Sequence, residues 1–294
     1  MEVAGRSVKI TNPDKVLFPE NGFAKQDLLA YYLSVADEIL PHLRDRPLSI
    51  VRYPDGVDKP GFFGKNAPRG TPEWVRTVRL PSPGSTKNRD EIDYIVVDEV
   101  ATLAWLANLA AVELHVPQWR ISDGLADRLM FDLDPGEGTG IRECCQVARL
   151  IKEALAADGL EAYPKTSGGK GLHIYVPISP IQPSDGHSYG HALAQKLERD
   201  NPELIVSNMR KELRIGKVLI DWSQNNPAKT TVATFSVRAK AAPRVSTPLT
   251  WRQVASGRPK ILTAREATKS RTELASRFSA LLKPSQAHLP GRES

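Results

Sequence analysis

The spacing of apolar residues divides this chain into short, alternating elements. Between Lys25 and Leu43 they recur at steps of three or four, at Leu28, Leu29, Tyr32, Val35, Ile39 and Leu43, which predicts one amphipathic helix. LSIVRY after Pro47, VRTVRL and IDYIVVD read as strands. The stretch from Glu99 to His115 reads as a long apolar helix ending before Pro117. Beyond it the pattern alternates: strand RLMFDLD, helix 141–157, strands around EAYPKTS and GLHIYVPI, a helix near 187–199, then strands KVLIDWS and TVATFSVRA. A mixed α/β architecture follows. Residues 54–74 are rich in Pro and Gly around an exposed-looking GFFGKN, and 81-PSPGSTKNRD-90 reads as a polar loop. The last residues, KPSQAHLPGRES, read as a frayed tail.

Bulk properties narrow the function classes. A chain of 294 residues, 40% hydrophobic and 25% charged, can bury an ample core and is neither disordered nor fibrous in composition. No run of 18 apolar residues predicts a membrane-spanning helix, and MEVAGRSVKITNPDK carries no apolar leader segment. The two cysteines, Cys144 and Cys145, are adjacent and cannot supply a structural zinc site; they read as thiols on a helix in a reducing cytoplasm. The net charge of +6 is compatible with a polyanionic partner.

The candidate chemistry lies in 128-RLMFDLDPGEGTG-140. Residues two apart in a strand share a face, so Asp132 and Asp134 point together while Phe131 and Leu133 point into the core. Two carboxylates so close repel unless a positive charge stands between them, and a hard divalent cation completed by phosphate oxygens is one answer. A solvated strand end, or an N-cap for the following helix, is another. Asp221 closes a second apolar run in KVLIDWSQN, and three carboxylates at strand ends suit two-metal phosphoryl transfer. Between them, TSGGKGLHIYVP offers glycines that let backbone N–H groups approach phosphate, with Ser167, Lys170 and His173 nearby. It is not a Walker A loop, and a plain hairpin turn is its other reading. Arg238 is a further candidate anion contact.

The order of these motifs resembles the archaeo-eukaryotic primase superfamily. NPDKVLFP, GFFGKN, ELHVPQW, FDLDPGEG, TSGGKGLHIYVP, IDWSQN and SVRA together resemble the polymerase domain of bacterial ligase D. The resemblance implies an α/β (α+β) primase-polymerase fold, with mixed central sheets flanked by helices and an RRM-like catalytic core. It also implies a template-dependent DNA/RNA nucleotidyltransferase that fills gaps and extends 3′ ends at DNA breaks. Asp132, Asp134 and Asp221 would hold two Mn²⁺ or Mg²⁺ ions. Ser167, Lys170, His173, Gln224 and Arg238 would bind the incoming NTP or dNTP. Asn12, Lys15 and Lys25 match positions that grip a DNA 5′-phosphate; read without the family, both lysines are solvated surface charges. Phe62 and Phe63 match an aromatic pair that stacks on template bases, His115 a histidine near the primer, and loop 81–90 a segment that bridges DNA ends. Gapped DNA or break ends, Ku and a separate DNA ligase are the implied partners, in a cytoplasmic, nucleoid-associated setting.

The family's K-x-D-G adenylation motif is absent, which leads to the expectation of a stand-alone polymerase with nick sealing left to another protein. One primase-polymerase domain is expected over 1–294, with a DNA-binding part to about residue 120, a catalytic part over 121–282 and a tail over 283–294. Two other classes stay open on the residues alone. A phosphatase could use D-x-D as aspartyl nucleophile and acid, and a DNA-end-binding module could keep the fold without catalysis.

Overall fold

The computed structural model describes residues 1–81 and 90–291. Packing divides the chain into two units: Met1–Val116 with Thr230–Val245 and Leu262–Arg271, and Pro117–Lys229 with Ser246–Ile261 and the residues from Thr272 on.

In the first unit the predicted helix 25–43 is two helices, α1 (Lys25–Ser34) and α2 (Ala36–Leu43). They part at Val35, whose φ/ψ of −111°/17° leaves the helical region. Strands β1 (Ser49–Arg52) and β2 (Phe62–Gly64) follow, as the pattern predicts for LSIVRY. The apolar stretch from Glu99 is not one helix. Helix α3 (Val100–Asn108) ends at Leu109, Ala110 turns with a φ of +54°, and β3 (Ala111–Val116) runs on as a strand. The strand signal is short, the alternation of Val112, Glu113, Leu114, His115 and Val116, and it follows directly on the apolar run of the helix, so the two read as one element. Loop residues 82–89, expected to bridge DNA ends, lie outside the described residues.

The second unit is built on β4 (Ala126–Pro135), α4 (Ile141–Ala157), β5 (Tyr163–Thr166), β6 (Leu172–Ile181), α5 (Pro183–Asp200), β7 (Ile205–Val206) and β8 (Val218–Asp221). Its sheet has the order β5-β6-β4-β8-β7, antiparallel except for β7 with β8. Phe131 and Leu133 of β4, Leu172 and Ile174 of β6, and Val218 and Ile220 of β8 are buried in one core with α4 and α5. Each such side chain contributes about 1.5–3 kcal/mol by leaving water. Cys144 and Cys145 belong to the same core. The described part of the terminal segment, to residue 291, does not fray as its composition suggested. Ser179 N–H donates to Ala287 O at 2.8 Å, and Leu289 is buried in this core, so one apolar side chain docks an otherwise polar stretch.

The chain then returns to the first unit. TVATFSVRA is not one strand but β9 (Thr231–Val232) and β10 (Val237–Ala239), interrupted at Phe235 with a φ of +67°. Phe235 is fully buried, and its carbonyl accepts the Tyr31 hydroxyl at 2.8 Å, which stabilises the bend. The four-stranded sheet of this unit has the order β9-β3-β1-β2.

Candidate active site

The acidic residues are assembled by strand register. Asp132 of β4 stands directly opposite Asp221 of β8 on one side and opposite His173 of β6 on the other; His173 in turn stands opposite Lys165 of β5. Residues directly opposed across an antiparallel pair share a face. Lys165, His173, Asp132 and Asp221 therefore form one row across four strands, with Asp134 two residues along β4 on the same face. Met130 and Tyr175 occupy that face on the other side of the row and join Phe278 in a small apolar cluster.

His173 faces away from the core beneath the sheet, as its alternation with Leu172 and Ile174 predicts, yet it is only 2% exposed. Its Nε2 lies 3.3 Å from Asp132 Oδ1. Lys165 is fully buried and its Nζ donates to Ser246 Oγ at 2.5 Å.

The glycine-rich segment is a turn closed by its own serine. Ser167 Oγ accepts the N–H groups of Gly169 at 3.1 Å and Gly171 at 3.2 Å, while Lys170 is exposed. Gly168 has a φ of +71°, which glycine adopts without strain. A Cβ at Gly171 would run into the carbonyl oxygen of Leu133, so only glycine brings this turn against β4 between the two aspartates.

Asp221 caps the 3₁₀ turn Trp222–Asn225. It accepts Ser223 N–H at 3.0 Å, the Ser223 hydroxyl at 2.6 Å and Gln224 Nε2 at 2.8 Å. The other end of the Gln224 amide, Oε1, is buried without a hydrogen-bond partner among the described residues. Asn225 bonds the backbone of Met130 in both directions, each at 2.8 Å, and so ties the turn to β4.

The all-oxygen donor set of Asp132, Asp134 and Asp221 suits a hard divalent cation. The bare Gln224 oxygen is an acceptor such an ion, or a group bound to it, would satisfy. As the side chains stand, no three Asp, Glu, His or Cys among the described residues converge closely enough to hold an ion. Asp221 is instead turned onto Ser223 and Gln224.

The remaining candidates belong to the first unit. Arg238 of β10 donates from Nε to Glu113 Oε1 at 3.2 Å, and His115 Nε2 lies 2.9 Å from Glu113 Oε2. Lys25 is buried rather than a solvated surface charge, and its Nζ donates to Thr11 O at 2.7 Å. Burial, with the charges of Lys15 and Arg52, lowers its pKa from the ordinary lysine value. Lys15 N–H bonds Asn12 O at 3.1 Å and Lys15 O accepts Lys25 N–H at 2.9 Å, which gathers Asn12, Lys15 and Lys25. Lys15 Nζ also pairs with Asp55 at 3.0 Å. Phe62 and Phe63 are 61% and 53% exposed on β2, the outermost strand of its sheet.

Residues 24–278 match the model of the ligase D primase-polymerase domain. The chain belongs to this family. The multifunctional non-homologous end joining protein LigD of Mycolicibacterium smegmatis is 42% identical over 252 residues, 84% of this chain and 32% of that protein. The bifunctional LigD of Bacillus subtilis is 31% identical over 251 residues, 85% of this chain and 40% of that protein. The chain thus spans about a third of the length of the mycobacterial relative. A solved structure described as the polymerase domain from Mycobacterium tuberculosis ligase D in complex with DNA matches with a TM-score of 0.88 at 38% identity, covering 94% of this chain and 98% of that one. The mixed α/β fold is that of the ligase D polymerase domain.

Three residues of these clusters escaped sequence reading: Glu113, Lys165 and Asn225. Glu113 lay inside what read as a helix. Lys165 left only a faint signal, a charged residue in an otherwise strand-like EAYPKTS. Asn225 left none, since its partner at Met130 is 95 residues away.

Proposed function

We propose that this chain is a template-dependent DNA/RNA nucleotidyltransferase that fills gaps and extends 3′ ends at DNA breaks, in end joining or gap repair. The observation that carries the reading is the register placing Asp132 opposite Asp221, with Asp134 on the same face. Like charges directly opposed are unfavourable in a sheet, so the arrangement makes chemical sense once cations join it. Asp132, Asp134 and Asp221 would hold two divalent ions, Mn²⁺ or Mg²⁺. Bound there, such ions would lower the pKa of a primer 3′-hydroxyl and neutralise charge on the transferred phosphoryl group.

The chain's own residues orient the reactants. Lys170, exposed on its turn, meets the triphosphate as a point charge, and Ser167 holds that turn in shape. His173 borders Asp132, and the open Gln224 oxygen accepts from the nucleotide. Arg238 supplies a planar guanidinium for phosphate oxygens. Asn12, Lys15 and Lys25 receive the 5′-phosphate across a gap, Phe62 and Phe63 stack on template bases, and His115 contacts the primer. DNA as a ligand is supported by the complex of the M. tuberculosis domain. End joining is the role printed in the names of the LigD relatives, and Ku and a separate DNA ligase are the partners proposed for such a role.

Primer extension on a gapped duplex is the test, with ribo- and deoxyribonucleotides and with Mn²⁺ or Mg²⁺. The expected result is templated, metal-dependent addition. A folded protein that adds no nucleotide with either metal would overturn the reading.

A further inference from the structure

Glu113 is a carboxylate in a central strand, flanked by the fully buried Val112 and Leu114, and only 6% exposed itself. A charge so placed needs partners. It has three. Oε1 accepts Arg238 Nε at 3.2 Å and the Ala239 N–H at 2.9 Å, and Oε2 meets His115 Nε2 at 2.9 Å. Glu113 and His115 are two residues apart on β3 and so share a face. The Ala239 contact ties the same oxygen to the backbone beside Arg238, so β10 and its guanidinium are held as one piece.

From this geometry we infer that Glu113 is a positioning residue for nucleotide addition, orienting Arg238 and His115 together through the two oxygens of one carboxylate. The inference rests on the proposed roles of Arg238 at the triphosphate and His115 at the primer. Stability alone is a poor account of such a residue. A buried ion pair gains little over well-packed apolar side chains, because desolvation offsets its Coulombic attraction. What a carboxylate adds, and a leucine would not, is direction: it fixes the plane of the guanidinium and the tilt of the imidazole. A guanidinium left to rotate would meet the triphosphate less often in the productive pose.

The test compares wild type, Glu113→Gln, Glu113→Asp, Arg238→Gln and the Glu113→Gln/Arg238→Gln double variant on a gapped duplex. Nucleotide KM, kcat and the melting temperature are measured for each. Glu113→Gln should raise nucleotide KM by about tenfold or more, the usual cost of losing a charged hydrogen bond. It should raise KM no further when Arg238 is already Gln, because the two act as a unit. Glu113→Asp, which keeps the charge but draws it back, should recover part of the loss. A folded Glu113→Gln with wild-type KM, or KM effects that multiply in the double variant, would overturn the inference. If Glu113→Gln shows no cooperative melting, Glu113→Asp decides: a raised KM in a folded protein supports it and a wild-type KM sinks it. An unchanged KM in Arg238→Gln would remove the nucleotide role of Arg238 and the inference with it. A raised KM there beside an unaffected Glu113→Gln would remove the inference alone.

Discussion

Asp132 and Asp221 face each other directly across two antiparallel strands, β4 and β8. Like charges directly opposed across a pair of strands destabilise a sheet. Asp132→Asn keeps the shape and removes one charge. Its melting temperature should be unchanged or higher, while nucleotide addition falls about a hundredfold or more. Adding Mn²⁺ should raise the melting temperature of the wild type, by the equivalent of about 2.7 kcal/mol at a hundred times its Kd, and should do so far less for Asp132→Asn. Thermal melts with and without metal, beside a primer-extension time course, check both parts. A variant that melts lower and still extends primers would assign Asp132 a structural role.

Acid should act on Glu113. Burial by itself would raise this carboxyl; the hydrogen bond from His115 and the charge of Arg238 outweigh it and bring the pKa down from 4.5 to about 2. The folded state holds the proton less tightly than the unfolded chain. The stabilisation is therefore fully present above about pH 4.5 and is lost as pH falls toward 2. Denaturant melts between pH 6 and 2.5 should show a loss that is smaller in Glu113→Gln. Parallel curves for the two proteins would refute the assignment.

The Lys15–Asp55 ion pair lies at an exposed surface, where such pairs are worth about 0–1 kcal/mol, so a phosphate can displace Asp55. Asp55→Asn should tighten binding to a 5′-phosphorylated gap by up to about fivefold. Lys25→Ala should weaken it by about 10- to 150-fold and erase any preference over the unphosphorylated gap. Titrations of both DNAs at one salt concentration measure this, since backbone contacts alone would weaken both equally.

Phe62 and Phe63 are too exposed to hold a core together. Replacing both with Ala should leave the melting temperature within a degree or two of wild type, as expected for surface positions. Affinity for gapped DNA should fall by about 1–3 kcal/mol per stacked base. A large drop in melting temperature with unchanged DNA affinity would assign the pair to packing.

Local patterns carried much of this protein. The alternation in RLMFDLD placed Asp132 and Asp134 on one face, because a strand repeats every two residues whatever surrounds it. The helix over 141–157 follows from its apolar stripe and is observed as Ile141–Ala157. The exposure of Phe62 and Phe63 agrees with the glycines that flank them. What escaped has a common cause. Strand β3 hid inside an apparent helix because its brief alternation continues an apolar run without a break in the sequence, and the bend at Phe235 depends on Tyr31, far away in the chain. The docking of Leu289 depends on a core made elsewhere. The opposition of Asp132 and Asp221, the burial of Lys165 beside Ser246, and the grip of Glu113 on Arg238 join residues 81 to 125 positions apart. Which face a residue occupies is decided by neighbours one turn or one pleat away, and so is written in local sequence. Which residue stands opposite it is decided by register between distant strands, a property of the folded chain.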